Sequence, residues 1–152
     1  MPSNKIVVHS NYILKKNVSQ EEHAFQVFSR HILGKQVPKI LNYNPINREL
    51  KMGKINGMSL ADMYGETDQI LTNDGGIIYN KIQVILQKLW DNGILYRDVT
   101  PYNFLISNDG EIYIVDFEHA ILLTESNKYL SDRKFVSGFI KGGIKHWNRN
   151  FK

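Results

Sequence analysis

The sequence predicts an α+β fold: a small antiparallel sheet with one helix against it, then a mainly helical half that carries a β-hairpin. Three observations predict it. Short apolar runs with strand character fill much of the first fifty-odd residues and are interrupted by a single helical pattern from Ser19 to Leu33. A second helical pattern starts near Ile77, with Ile78, Ile82, Ile85, Leu86 and Leu89 at amphipathic spacing. Beyond it, the runs Phe104 to Ile106 and Ile112 to Val115 flank Asn108-Asp109-Gly110, a hairpin signal because Asp-Gly tolerates the positive φ of a tight turn.

With 152 residues the chain has the length of one domain with a real core. Its 42% hydrophobic content describes a globular protein. No apolar run approaches the ~20 residues of a membrane span, and the N-terminus lacks a signal-peptide core. The chain has no cysteine, which removes disulfides and thiolate metal sites and fits a reducing compartment. The expectation is therefore a cytoplasmic protein with no membrane partner. Five histidines are scattered without ligand spacing, and the net charge of +4 suits anionic ligands generally, so nucleic acid stays open as a partner.

Taken in order, Ile6-Val7-Val8 and Tyr12-Ile13-Leu14 read as strands broken by Ser10-Asn11. Strand alternation sends Lys15 and Lys16 to opposite faces. Ser19-Gln20-Glu21-Glu22 is a capping box that opens a helix with Ala24, Phe25, Phe28 and Ile32 as its apolar stripe, and Gly34 stops it. Val37 to Leu41 and Glu49 to Met52 read as antiparallel strands around a turn at Asn44-Pro45. The sheet should hold three to four strands. Ser59 opens a short helix to Tyr64, Asn92-Gly93 ends the helix begun near Ile77, and a last helix runs from about Tyr129 to Ile140. The basic, aromatic segment from Lys141 to Lys152 reads as a solvated or docking tail.

Three polar side chains punctuate the hairpin. Asp98 and Asn103 lie on the loop that enters its first strand, and Asp116 lies at the exit of its second. The turn folds the pair back, so Asn103 and Asp116 emerge at the same end. Two oxygen donors there suit a hard divalent cation such as Mg²⁺ that also carries phosphate oxygens. Asp98 can then face a substrate hydroxyl. A helix cap, a turn or a strand end would explain any one of these residues alone; three together at this spacing point to chemistry.

The pattern resembles the protein-kinase superfamily. Tyr96-Arg97-Asp98-Val99 with Asn103 is similar to the catalytic loop H-R-D-L-x-x-x-x-N, and Asp116-Phe117-Glu118 to D-F-G. The resemblance implies a reduced two-lobe fold, with residues 1–55 as the N-lobe and 56–152 as a reduced C-lobe. It implies MgATP as the nucleotide ligand, with Asp98 catalytic and Asn103 and Asp116 on Mg²⁺. Tyr12-Ile13-Leu14-Lys15 has the shape of the V-A-I-K strand, which places Lys15 on the α- and β-phosphates, paired with a helix glutamate: Glu22, or Glu21. Lys51 to Leu60 resembles the hinge strand, with Met52 behind the adenine pocket and the Gly53 C=O and Ile55 N–H on the adenine edge. Asp132 stands where full-size members fasten the catalytic-loop backbone.

The chain also departs from the family pattern. No glycine precedes Gly34, so the Gly-rich phosphate cover is missing; Thr100 stands where Ser/Thr kinases carry lysine; Glu118 replaces the D-F-G glycine; and the A-P-E segment is lacking. These departures resemble the RIO kinases and the small kinase of the KEOPS complex, while Asp-Phe-Glu resembles the choline-kinase and aminoglycoside-phosphotransferase branch. The expectation is an ATP-dependent phosphotransferase, an atypical serine/threonine protein kinase with autophosphorylation or ATPase activity, acting on a protein substrate or within a complex. The alternatives are a pseudokinase-like binding module and a small-alcohol phosphotransferase.

Overall fold

The computed structural model describes residues 5–65 and 75–150. Strands β1 (Lys5–Val8), β2 (Tyr12–Lys16), β3 (Ile40–Asn44) and β4 (Glu49–Gly53) form an antiparallel sheet in the order β1-β2-β4-β3. This is the α+β start that the sequence predicts, with four strands. The β1–β2 connection is tight, closed by the His9 N–H on the Tyr12 carbonyl at 2.9 Å. Asn44 makes the β3–β4 turn, its Oδ1 accepting from the Ile46 N–H at 2.9 Å. Val37 and Pro38 are not part of a strand: Val37 caps a 3₁₀ turn over Gly34–Gln36, its N–H on the Gly34 carbonyl, and β3 starts at Ile40 and continues to Asn44.

Helix α1 (Gln20–Leu33) begins at Ser19, whose side chain accepts from the Glu22 N–H at 3.0 Å. The face it buries is only partly the expected one, with Phe25 and Ile32 half-buried against the core. Glu22, Gln26, Ser29 and Leu33 are inside, while Ala24 is exposed and Phe28 keeps 43% of its surface in solvent. Glu22 faces the sheet to reach Lys15, and Gln26, Ser29 and Leu33 follow it on the same side at offsets of four, seven and eleven residues. The apolar stripe is thereby turned partly outward.

Strand β5 (Gly57–Ser59) leads into α2 (Leu60–Tyr64), capped by Ser59 on the Asp62 N–H at 3.0 Å. Gly57 is required by contact: a Cβ there would stand 2.9 Å from the Ile106 carbonyl oxygen. Helix α3 (Gly75–Asp91) carries the buried stripe Ile78, Ile82, Ile85, Leu86 and Leu89, and Gly93 follows it at φ +81. Strand β6 (Ile94–Leu95) pairs with β9 (Ile121–Leu122). Between them, β7 (Phe104–Ser107) and β8 (Ile112–Ile114) form the predicted hairpin, with β5 added on the β7 side. Lys81 of α3 fastens its turn, donating to the Gly110 carbonyl at 2.7 Å.

Helix α4 (Ser131–Ile140) closes the second core. In that core α3 packs with Tyr96, Phe104, Ile114, Phe117, Phe139 and Trp147. The sheet has a much smaller cluster of Val18, Leu50 and Met52. Trp147 and Asn148 are buried, so the C-terminal segment is part of the fold rather than a solvated tail; Phe151 and Lys152 lie outside the described residues. No helix among the described residues is long and apolar enough to cross a membrane.

The orientation of α1 gives the first prediction. Leu33→Ala should cost about 2–5 kcal/mol, whereas Val27→Ala, on the outward face, should cost about 0.5 kcal/mol or less. Urea unfolding of the two variants measures the difference, and equal costs would mean that the face carrying Val27 is packed as well as the face carrying Leu33.

Candidate functional site

Lys15 comes from β2, Glu22 from α1 and Asp116 from the exit of the hairpin, and the three meet. The Lys15 Nζ is 2.5 Å from Glu22 Oε2 and 3.1 Å from Asp116 Oδ1. Lys15 retains 4% of its surface and Glu22 2%. Lys16, on the opposite face, pairs with Glu49 at 3.8 Å. Burial pulls the Lys15 pKa down, but the Asp116 and Glu22 carboxylates outweigh it and hold the ammonium protonated. Burial raises the Glu22 carboxyl and outweighs the lowering by Lys15, with Asp116 and Glu118 adding their negative charge.

Asp116 sits at φ 66, in the left-handed region that aspartate enters more readily than most residues. Its own side chain supports the bend, Oδ1 accepting from the Glu118 N–H at 3.2 Å. Phe117 beside it is fully buried. The Val115 N–H donates to the Asn103 carbonyl at 3.0 Å, which ties the strand end carrying Asp116 to the loop carrying Asn103. The Tyr96 hydroxyl donates to the Val115 carbonyl, and burial raises that phenol well above its ordinary pKa.

The loop from Arg97 to Asn103 is held carbonyl by carbonyl. Asn103 Nδ2 donates to the Asp98 carbonyl at 3.0 Å, the Thr100 N–H reaches the same oxygen at 2.9 Å, and the Ala61 N–H takes the Pro101 carbonyl at 2.9 Å. Burial raises the Asp98 carboxyl pKa; the Asn103 amide opposes this, the Asp116 charge adds to it, and His119 lowers it. Asp132 does not fasten the loop backbone as the resemblance implies. Its carboxylate instead accepts from the Arg97 guanidinium, and the backbone is bonded by Asn148 from the C-terminal segment: its N–H lies on the Val99 carbonyl at 2.9 Å and its Nδ2 on the Arg97 carbonyl at 3.2 Å.

A cavity of about 140 Å³ opens between the sheet and the hairpin, with Lys15 and Asp116 on its wall beside Ile13, Met52, Gly53, Ile55 and Leu105. All the expected nucleotide-binding residues except Asn103 line it. Gln26 also lines it, one turn from Glu22 on α1, its amide donating to the Pro38 carbonyl at 3.2 Å. The sequence reading missed Gln26, although its offset of four from Glu22 signals a shared face. A larger concavity of about 830 Å³ lies on the outer side of α1, between Val27, Phe28, Lys39 and Ile40, away from the convergent charges. Chemistry rather than volume selects the smaller one. Among the described residues no cluster of three acidic or histidine side chains could hold a metal alone. The oxygen donors Asn103 and Asp116 nevertheless fit Mg²⁺, which takes one or two protein ligands together with phosphate oxygens.

Comparison with known structures shows the same fold. The crystal structure of WbdD superposes with a TM-score of 0.62 at 14% identity, covering 97% of this chain and 36% of that one, and WbdD with the kinase inhibitor LY294002 gives 0.60. In sequence, the Protein kinase domain family matches residues 6–139, and the chain belongs to that family. It is 29% identical over 87 residues to a probable serine/threonine-protein kinase of Corynebacterium efficiens, and 22% identical over 133 residues to the probable serine/threonine-protein kinase PknB of Lactococcus lactis. These matches cover 57% and 82% of this chain but 13% and 21% of those proteins.

The buried charge cluster gives the second prediction. Lys15→Met should destabilise the protein by about 3–5 kcal/mol, because it strands a buried carboxylate, and adding Glu22→Leu should recover most of that loss. Thermal unfolding of the single and double variants tests this, and a double variant no more stable than Lys15→Met would show that the pair is not the source of the cost.

Proposed function

We propose that the chain is an ATP-dependent phosphotransferase, an atypical serine/threonine protein kinase whose nucleotide lies between residues 1–55 and residues 56–152 as N- and C-lobes. The observation that carries this reading is Lys15 held on the cavity wall between Glu22 and Asp116, at 2.5 Å and 3.1 Å. Lys15 is kept charged there by one desolvated carboxylate, Glu22, and one partly exposed carboxylate, Asp116, which supports a cation available to phosphate oxygens.

In this reading the small cavity takes the base. Its 140 Å³ is below the ~300–1,000 Å³ of a whole ligand site, so the phosphates lie outside it, toward Lys15 and Asp116. The Gly53 carbonyl and Ile55 N–H read the adenine edge while Met52 closes the back. The Lys15 ammonium draws charge from the α- and β-phosphates. The Asn103 amide nitrogen is engaged on Asp98, which leaves its oxygen for Mg²⁺; Asp116 has Oδ1 on Lys15 and Glu118, which leaves Oδ2. The cation supplies charge neutralisation on the phosphate oxygens. Asp98, with its pKa raised by burial, orients the acceptor hydroxyl and accepts its proton. The acceptor is a serine or threonine hydroxyl, on another protein or on this chain, and an ATPase side reaction accompanies slow transfer.

The test is incubation with γ-labelled ATP and Mg²⁺, with and without a generic basic protein. Asp116→Asn should abolish transfer, since it removes a charge from the cation site while keeping shape and a residue that accepts positive φ. Asp98→Asn should lower kcat by about 10²–10⁴-fold with MgATP affinity nearly unchanged. If the wild-type chain labels neither itself nor a protein, and both variants still capture the same partner, the chain is a binding module of pseudokinase type.

A further inference from the structure

We propose that Asn148 is a positioning residue for Asp98, and that the segment around Trp147 and Asn148 is a strap that sets the geometry of the catalytic loop; the catalytic part of this inference rests on the phosphotransfer reading above. Asn148 lies fifty residues beyond Asp98 in sequence, yet it bonds the residue on each side of it. Its backbone N–H takes the Val99 carbonyl at 2.9 Å, and its side-chain Nδ2 takes the Arg97 carbonyl at 3.2 Å. Asn103 takes the carbonyl between them. Three consecutive carbonyls, those of Arg97, Asp98 and Val99, are therefore each bonded by a donor from Asn103 or Asn148.

Fixing the peptide planes on both sides of a residue fixes the direction of its Cα–Cβ bond, because only φ and ψ connect them. Asp98 has a half-buried side chain, and the direction in which its carboxylate leaves the backbone is set by these planes. A misplacement of about 1 Å can cost ~10²-fold in rate.

The strap is itself anchored. Trp147 is buried, with its ring 5.3 Å from Tyr79 of α3 and 6.5 Å from Phe104 of β7, and the His146 ring lies 5.5 Å from Phe135 of α4. The Asn148 Oδ1 accepts from the Asn150 N–H at 3.2 Å, which fixes which end of the amide faces the loop. Asn148 is 2% exposed, so water has little room to replace a lost donor. Asp132 holds the Arg97 side chain and Asn148 holds its backbone, which separates the two tasks.

The experiment compares Asn148→Ala and Asn148→Asp in the full chain. Both keep the backbone bond to Val99 and lose the Nδ2 donor. Aspartate keeps the shape but points a carboxylate oxygen at the Arg97 carbonyl, so a donor role makes Asn148→Asp at least as damaging as Asn148→Ala, whereas a packing role makes it nearly harmless. The expected result is a kcat for phosphoryl transfer lowered about 10–100-fold in Asn148→Ala and further in Asn148→Asp, with the MgATP dissociation constant within about threefold of wild type. Hydrogen exchange of the Val99 and Thr100 amides, which bond within the loop, should accelerate while the α3 amides stay protected.

The proposal is overturned if Asn148→Asp behaves as wild type, or if both variants lose MgATP binding and α3 protection together. Should the wild-type chain transfer no phosphate, the phosphotransfer reading fails by itself and the exchange data decide the strap: accelerated exchange in the loop upholds it, and unchanged exchange removes it.

Discussion

The cluster of Lys15, Glu22 and Asp116 is the constraint around which the rest of the molecule is arranged. Its members come from a strand, a helix and a hairpin exit, and two of them are almost fully buried. Removing charges from water is costly, and the cost is offset only when the partners arrive together in good geometry. The sheet's own buried cluster is small, formed by Val18, Leu50 and Met52. The ion cluster therefore acts less as a source of stability than as a statement of where the sheet and α1 must sit relative to Asp116. It also explains the face that α1 presents, since a glutamate committed to Lys15 carries Gln26, Ser29 and Leu33 inward with it.

The two loops that frame the cavity are made rigid by different means. Asp116 lies in the left-handed region, where an L-residue is strained unless its surroundings hold it there. Here the hold is local: a side-chain bond to the Glu118 N–H and a fully buried Phe117 next to it. The Asp98 loop has little regular structure of its own, and its carbonyls are bonded from α2, from Asn103 and from the C-terminal segment. The bend at Asp116 has support from within its own turn, whereas the Asp98 loop also draws on residues as far away as Asn148.

That difference decides how much could be read from the sequence. The hairpin, the caps at Ser19 and Ser59 and the stop at Gly93 are local signals, and the structure contains them. The spacing of Asp98, Asn103 and Asp116 was legible because a hairpin converts sequence separation directly into a shared end. The face of α1 was not legible from its apolar pattern. Ala24, Phe25, Phe28 and Ile32 make a credible stripe, but only Phe25 and Ile32 pack against the core, while the tertiary demand of Lys15 on Glu22 leaves Ala24 and Phe28 exposed. Asn148 gave no signal at all, since a lone asparagine in a basic terminal stretch looks solvated until the fold brings it against Arg97 and Val99. Asp132 fell between these cases: its position was anticipated, but its partner proved to be the Arg97 side chain rather than the loop backbone.

The β1–β2 turn is closed by a bond from His9 to Tyr12 and by stacking of their rings at 4.3 Å. A tight turn of this kind offers no row of backbone N–H groups to wrap a polyphosphate. On the phosphotransfer reading, that turn adds nothing to the grip on the phosphates, which falls to Lys15 and to a cation on Asn103 and Asp116. Charge–charge interactions weaken as water enters a site. What this site can depend on is groups already in place before the nucleotide arrives, whose orientation costs nothing at the moment of reaction. The ionic brace on Lys15, the side-chain-supported bend at Asp116 and the strapped carbonyls around Asp98 each supply that kind of order.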